Sequence, residues 1–168
     1  MIAVIFYALM VISHFGQFVL GNNNFYLFGL PVIPFFGFMI AQGCRLTKDP
    51  FSYFIRVLIL AVLSEYIYKV MTGHGFNDII GLLIGLSIIV VYSETFNRKS
   101  KFLIYPLIIY LLNAIDFKLS YICFWVLLGD VVIDYKDIRI SRLFKRSYLN
   151  YLIYPVHILI LIGIREIL

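Results

Sequence analysis

Seven apolar runs follow one another along this 168-residue chain with only short polar turns between them, and that succession limits the fold more than any single motif does. The runs are Ile2 to Leu20, Phe25 to Cys44, Ser52 to Val70, Asp78 to Tyr92, Phe102 to Ala114, Leu119 to Ile133 and Leu149 to Ile164. A helix needs about 20 residues, and at least about 17, to cross the hydrocarbon layer of a bilayer. The fourth and fifth runs are short, and a pair of re-entrant segments is the alternative for them. Charged residues make up 14% of the chain, against roughly 25% in soluble proteins. Sixteen Phe and thirteen Tyr beside one Trp suit lipid-facing and interfacial surface. The prediction is an all-α polytopic membrane protein.

Loop charges test the count of spans, because Lys and Arg collect on the cytoplasmic side. With seven spans, one side receives Arg45, Lys48, Arg56, Arg98, Lys99, Lys101, Lys136, Arg139, Arg142, Lys145 and Arg146, and the other receives only Lys69, Lys118 and Arg165. This alternation predicts a cytoplasmic N-terminus and an external C-terminus, and removing one middle span breaks it. Topology thus accounts for the net charge of +5, and no basic face on a soluble module points to nucleic acid. The first run has no Lys or Arg ahead of it and no small-residue cleavage pattern behind it, so it reads as a retained helix.

The expected organisation is one domain over 1–168, with no internal repeat and no low-complexity segment. Cys44 and Cys123 form no paired motif, and neither a disulfide nor a thiolate metal site is expected. Pro31, Pro34, Pro106 and Pro155 should kink their helices and free backbone carbonyls. Gly81 and Gly85 form a small-xxx-small pair of the kind that packs helices.

Against this background the ionisable residues inside the runs stand out, since an intramembrane charge is costly and marks a functional site by default. His14 lies about 18 Å along its helix, about 9 Å short of the outer end. Glu65 stops five residues short of Val70, His157 falls near the middle of the last run, and His74, Asn77 and Asp78 crowd the loop between runs three and four. These groups share the outer half of the membrane. An imidazole beside a carboxylate fits general base catalysis, the carboxylate fixing the tautomer and stabilising the imidazolium. The alternatives are structural: an interhelical hydrogen bond for His14, a Glu65–Lys69 pair at i,i+4, a bond from His157 to a freed carbonyl, and an N-cap role for Asp78. A metal site is disfavoured by the lack of an i,i+4 ligand pair. At the cytoplasmic end, Arg45, Lys48 and Arg56 flank a tight turn at Asp49 and Pro50. They read either as ordinary positive-inside charge or as a phosphate clamp for a nucleotide-like donor.

The stretch FGLPVIPFFGFMIAQGCRLTKDPFSYFIRVLILAVLSE from Phe28 resembles the signature of the TraX family, membrane acetylases named for N-terminal acetylation of F-pilin. The matching features are Gly29, Pro34 to Phe38, Gln42 with Gly43, the basic turn Arg45 to Lys48, Arg56, and Ser64 with Glu65. MVISHFG around His14 is similar to the family's Met-x-x-Asp-His-x-Gly, and YLIYPVHILIL resembles its closing Tyr-Pro-x-His segment; Asn77 and Gly85 fit the part between. Ser13 stands where the family commonly has Asp, and Leu30 where it commonly has Arg.

The resemblance implies transfer of acetyl from cytoplasmic acetyl-CoA to an amine, such as a pilin N-terminus, in a bacterial inner membrane. The relatives in the wider sense are the membrane acyltransferases that use cytoplasmic acyl-CoA. His14 is then the expected base and Glu65 its orienting partner. His157, Asn77 and Ser13 are expected at the substrate, and Arg45, Lys48 and Arg56 at the CoA phosphates. Two rivals are an O-acetyltransferase acting on an envelope glycan or lipid carrier and a non-enzymatic assembly or exclusion protein. A small transporter is disfavoured by the lack of repeat symmetry.

Overall fold

The computed structural model describes residues 2–72, 78–95, 100–136 and 149–167. Nearly all of them are helical, and no strand occurs among them. The helices are α1 (Ile2–His14), α2 (Tyr26–Gly29), α3 (Val32–Leu46), α4 (Pro50–Thr72), α5 (Asp78–Thr95), α6 (Lys101–Ile115), α7 (Phe117–Lys136) and α8 (Leu149–Ile167). Each apolar run of the sequence therefore became helix, with α2 and α3 sharing the second. α1 passes at His14 into a π-helical turn, Phe15–Val19, and a 3-10 turn, Asn23–Phe25, leads into α2.

Local chemistry sets the joints. Gly21 has φ 65, a left-handed conformation that costs glycine nothing, and it reverses the chain after the π-helical turn. Pro31 and Pro34 do not kink a helix interior: Pro31 is the N-cap of α3 and Pro34 lies in its first turn, where the missing N–H has no intrahelical acceptor anyway. Pro106 and Pro155 do lie inside α6 and α8. α4 opens with Asp49 ahead of Pro50. The Asp49 carboxylate accepts the Ser52 backbone N–H at 3.0 Å and also the Ser52 hydroxyl. These bonds hold the Asp49 carboxyl below its ordinary pKa. Its contribution is therefore complete above the unfolded carboxylate pKa and is lost as pH falls through the lower folded value. Asp49→Ala is expected to fray the first turn of α4, read as faster amide exchange at Ser52 and Tyr53; unchanged exchange contradicts the cap.

Helix directions follow from the contacts. Phe6 stacks on Phe35 with centroids 4.0 Å apart, Tyr7 meets Phe36 at 5.2 Å, and Ser13 lies against Gly29, so α1 and α3 are antiparallel. α4 folds back along α3 through the turn at 47–49, the Tyr53 ring packing over Gly43. α3 and α7 are parallel and nearly touch: a Cβ at Gly37 would sit 3.0 Å from the Trp125 backbone, and one at Gly129 3.0 Å from Phe38 Cα. α5 runs parallel to α7 in the same way: a Cβ at Gly81 would sit 2.9 Å from Ile122 and one at Gly85 2.7 Å from Val126. Small residues let the backbones approach, which is the packing role expected for that pair. α6 is antiparallel to α7, with the Ser120 hydroxyl donating to the Ile109 carbonyl at 3.4 Å near one end. Ala41, Val57, Leu86, Ile89, Ile122, Val126 and Leu127 fill the core between these helices.

Around this apolar core many large apolar side chains are exposed and several polar ones are buried. Leu103, Ile115, Phe117 and Phe102 are exposed, whereas Asp130, Ser64, Ser13 and Lys101 are buried. A soluble surface seldom carries apolar patches this extensive, and Lys or Asp is almost never fully buried unless paired. Two helical stretches, Asn23–Leu46 and Pro50–Val70, are long and apolar enough to cross a membrane. Val4–Val19, Asp78–Tyr92 and Lys101–Ile115 are apolar but shorter, and α7 carries Lys118, Asp130 and Asp134 along its length.

Candidate functional site

Two polar clusters occupy opposite ends of the bundle. His14 lies beside the start of α3 and Arg45 at its end, which helical rise separates by roughly 20–25 Å.

At the first end, His14 Nδ1 and His157 Nε2 are 2.8 Å apart, with the rings nearly parallel at 7°. The directions of the hydrogen bonds follow from one fixed point. His157 Nδ1 lies 3.0 Å from the Ile153 carbonyl, which can only accept, so Nδ1 carries the proton. In the neutral ring Nε2 is then an acceptor, His14 Nδ1 donates to it, and His14 Nε2 holds the lone pair. Two helices thus set the tautomer of one imidazole. The Phe18 ring packs on His14 at 5.5 Å, and Tyr68 meets Phe18 edge-on at 6.1 Å. The π-helical turn that carries Phe18 is fastened by Gln17, whose amide donates to the Ser13 hydroxyl at 2.8 Å and the Ser13 carbonyl at 3.2 Å. Such turns recur at functional sites.

Three of the structural alternatives named from sequence are present: an interhelical hydrogen bond for His14, a bond from His157 to a backbone carbonyl, and a Glu65–Lys69 pair. The neighbour at His14 Nδ1 is His157, where the sequence reading had placed Glu65. Glu65 pairs instead with Lys69 at 3.4 Å, one turn along α4. Ser13, expected at the substrate, is buried between Gln17 and Gly29 and braces the turn. The Asp78 carboxylate meets Lys118 at 2.7 Å, tying the starts of α5 and α7. His74 and Asn77 lie outside the described residues.

The opposite cluster was not foreseen. Arg45 donates through Nε to Asp130 at 2.7 Å and through Nη2 to Asp134 at 2.9 Å. Lys101 Nζ reaches Asp130 at 2.6 Å and Asp134 at 2.5 Å, and the Tyr105 hydroxyl donates to Asp130 at 2.8 Å. Among the described residues the set holds two cations and two carboxylates, with Asp130 fully buried and Lys101 nearly so. Lys101 also sits over the Tyr92 and Tyr105 rings, 5.8 and 5.9 Å from their centroids. Lys101, counted from sequence as a loop charge, is the first residue of α6 and points inward. The expected clamp of Arg45, Lys48 and Arg56 is altered accordingly. Arg45 is held by carboxylates, Arg56 donates to the Ser52 carbonyl at 3.2 Å and lies over Tyr53, and Lys48 is exposed on the turn. The signal in the sequence was Asp130 with Asp134, an i,i+4 acidic pair at the end of the sixth apolar run.

Cys44 and Cys123 are both buried and free. Among the described residues no group of three or more His, Cys, Asp or Glu is arranged to hold a metal. The arrangement offers an oriented neutral base at one end and a carboxylate-braced guanidinium at the other. No protein-family model, curated protein or solved structure matches the chain.

Proposed function

We propose that the protein is a multi-pass membrane acetyltransferase of the TraX type, carrying acetyl from cytoplasmic acetyl-CoA to an amine in the outer half of a bacterial inner membrane. The observation that carries this reading is the Ile153–His157–His14 chain of hydrogen bonds, which leaves the lone pair on His14 Nε2. A free α-amino group, with pKa about 7.7 to 8.0, is partly deprotonated near neutrality. An imidazole that takes its remaining proton as the amine attacks the thioester suits that chemistry.

Seven spans with the N-terminus in the cytoplasm are supported by two independent patterns. Neighbouring helices alternate in direction, α3, α5 and α7 running one way and α1, α4 and α6 the other. The loop charges alternate in step, and the apolar exterior of the bundle matches hydrocarbon. In that orientation the Arg45 cluster faces the cytoplasm. Arg45, fixed through Nε and Nη2, presents Nη1 together with Lys48 and Arg56 to CoA phosphates. His157 positions the base, and Asn77, just ahead of α5 in sequence, meets the acceptor, for which a pilin N-terminus is the proposed instance.

The test is transfer of labelled acetyl from acetyl-CoA to a short peptide with a free N-terminus, by the purified protein in vesicles. Transfer to the peptide amine is expected; label on a glycan or lipid hydroxyl instead would establish the O-acetyltransferase rival, and no label on any acceptor would leave a non-enzymatic role. Phosphatase fused after Gly73 should be active and after Arg98 inactive, and the reverse pattern overturns the orientation.

A further inference from the structure

Ser64 is fully buried on α4, and its hydroxyl has no hydrogen-bond partner among the described residues. Hydroxyls within helices normally satisfy themselves on the carbonyl four residues back. Thr72 and Ser87 do so in this molecule, at 2.9 Å to Tyr68 and 2.8 Å to Leu83. Ser64 has the same option at Leu60 and does not take it. A buried donor left idle is disfavoured unless something else uses it.

Its position says what that is. α1 and α4 are both antiparallel to α3 and hence parallel to one another. Tyr68 of α4 meets Phe18, and Phe18 packs on His14. One turn back from this contact, about 5–6 Å along each helix, lie Ser64 on the stripe of Tyr68 and His14 on that of Phe18. Ser64 is thus level with the His14–His157 pair.

We infer that the Ser64 hydroxyl is a catalytic hydrogen-bond donor to the acetyl carbonyl oxygen, placed at the level of the imidazole pair in the bundle. The inference rests on the transfer reaction proposed above. The amine nitrogen attacks the thioester carbonyl carbon, the C–N bond forms and negative charge develops on the carbonyl oxygen, where Ser64 O–H donates. Collapse breaks the C–S bond, His14 Nε2 receives the proton lost from nitrogen, and the thiolate takes it up to leave as CoA thiol. Donors aimed at developing oxyanion charge act most strongly where water is excluded, which is the setting of a hydroxyl with no exposed surface.

Ser64→Ala separates this role from a structural one, because it removes an unpartnered hydroxyl and should leave the thermal midpoint unchanged or raised. With the full-length protein in vesicles, labelled acetyl-CoA and a free-amine peptide, kcat is expected to fall about 100-fold at nearly unchanged KM for acetyl-CoA. Ser64→Thr, which keeps the hydroxyl, should retain most of the rate. Unchanged kcat in Ser64→Ala, or a loss that comes with a lowered midpoint, overturns the inference while leaving the wild-type reaction standing. Absence of transfer by the wild type overturns both.

Discussion

Asp130→Ala should lower the stability of the folded protein in detergent by about 3–5 kcal/mol, enough to prevent accumulation in the membrane. The size follows from what remains rather than from what is lost. Asp130 is fully buried and accepts from Arg45, Lys101 and Tyr105 at once. Without it, Asp134 is the one carboxylate left to Arg45 and Lys101 among the described residues, and a positive charge at a buried position loses its closest counter-ion. Lys101→Met combined with Asp130→Leu removes one charge of each sign and leaves Arg45 with Asp134. That double variant should recover most of the loss, since replacing a buried pair with apolar groups of similar size is often neutral or better. Thermal midpoints of the three proteins in one detergent decide the matter; a double variant no more stable than Asp130→Ala would show that the ion pair is not what holds the ends of α3, α6 and α7 together.

The same cluster shows where sequence reading reached its limit. Helix positions were legible because hydropathy is local: the run ending at Ala114 became a helix ending at Ile115, and the run read from Ser52 to Val70 became α4 from Pro50 to Thr72. Lys101 was not legible. A Lys at the mouth of a helix looks the same in sequence whether it snorkels outward or turns in to a carboxylate 29 residues later. Positive-inside counting assumes the first. His14 was legible as an ionisable group in an apolar helix, but its partner was not. His157 is 143 residues away, and a carboxylate on a helix of the same depth is chemically as good a partner for imidazole. Only the packing of α8 against the π-helical turn chooses between them, and the choice leaves Glu65 with Lys69, its neighbour by helical spacing.

His14→Ala should reduce acetyl transfer by roughly 10²- to 10⁴-fold, the range over which a positioned general base acts. Some of any observed loss will come from stability, because the substitution strips His157 Nε2 of its donor in a buried site and costs about 1–3 kcal/mol. Rates therefore need to be expressed per folded molecule. The sharper comparison is at His157. Its contribution in the geometry is to accept the hydrogen bond from His14 Nδ1–H, and the side-chain carbonyl of Gln can accept that bond whereas Ala cannot. His157→Gln should accordingly keep much more of the rate than His157→Ala, with both retaining substrate affinity. Were the two imidazoles merely a tie between α1 and α8, the order of the variants would follow their melting temperatures, and His14→Ala would transfer acetyl as fast per folded molecule as the wild type. A rate that instead tracks the ability of residue 157 to accept a hydrogen bond assigns the chemistry to His14 Nε2, because holding the proton on Nδ1 is the one thing His157 does for it that Gln can imitate.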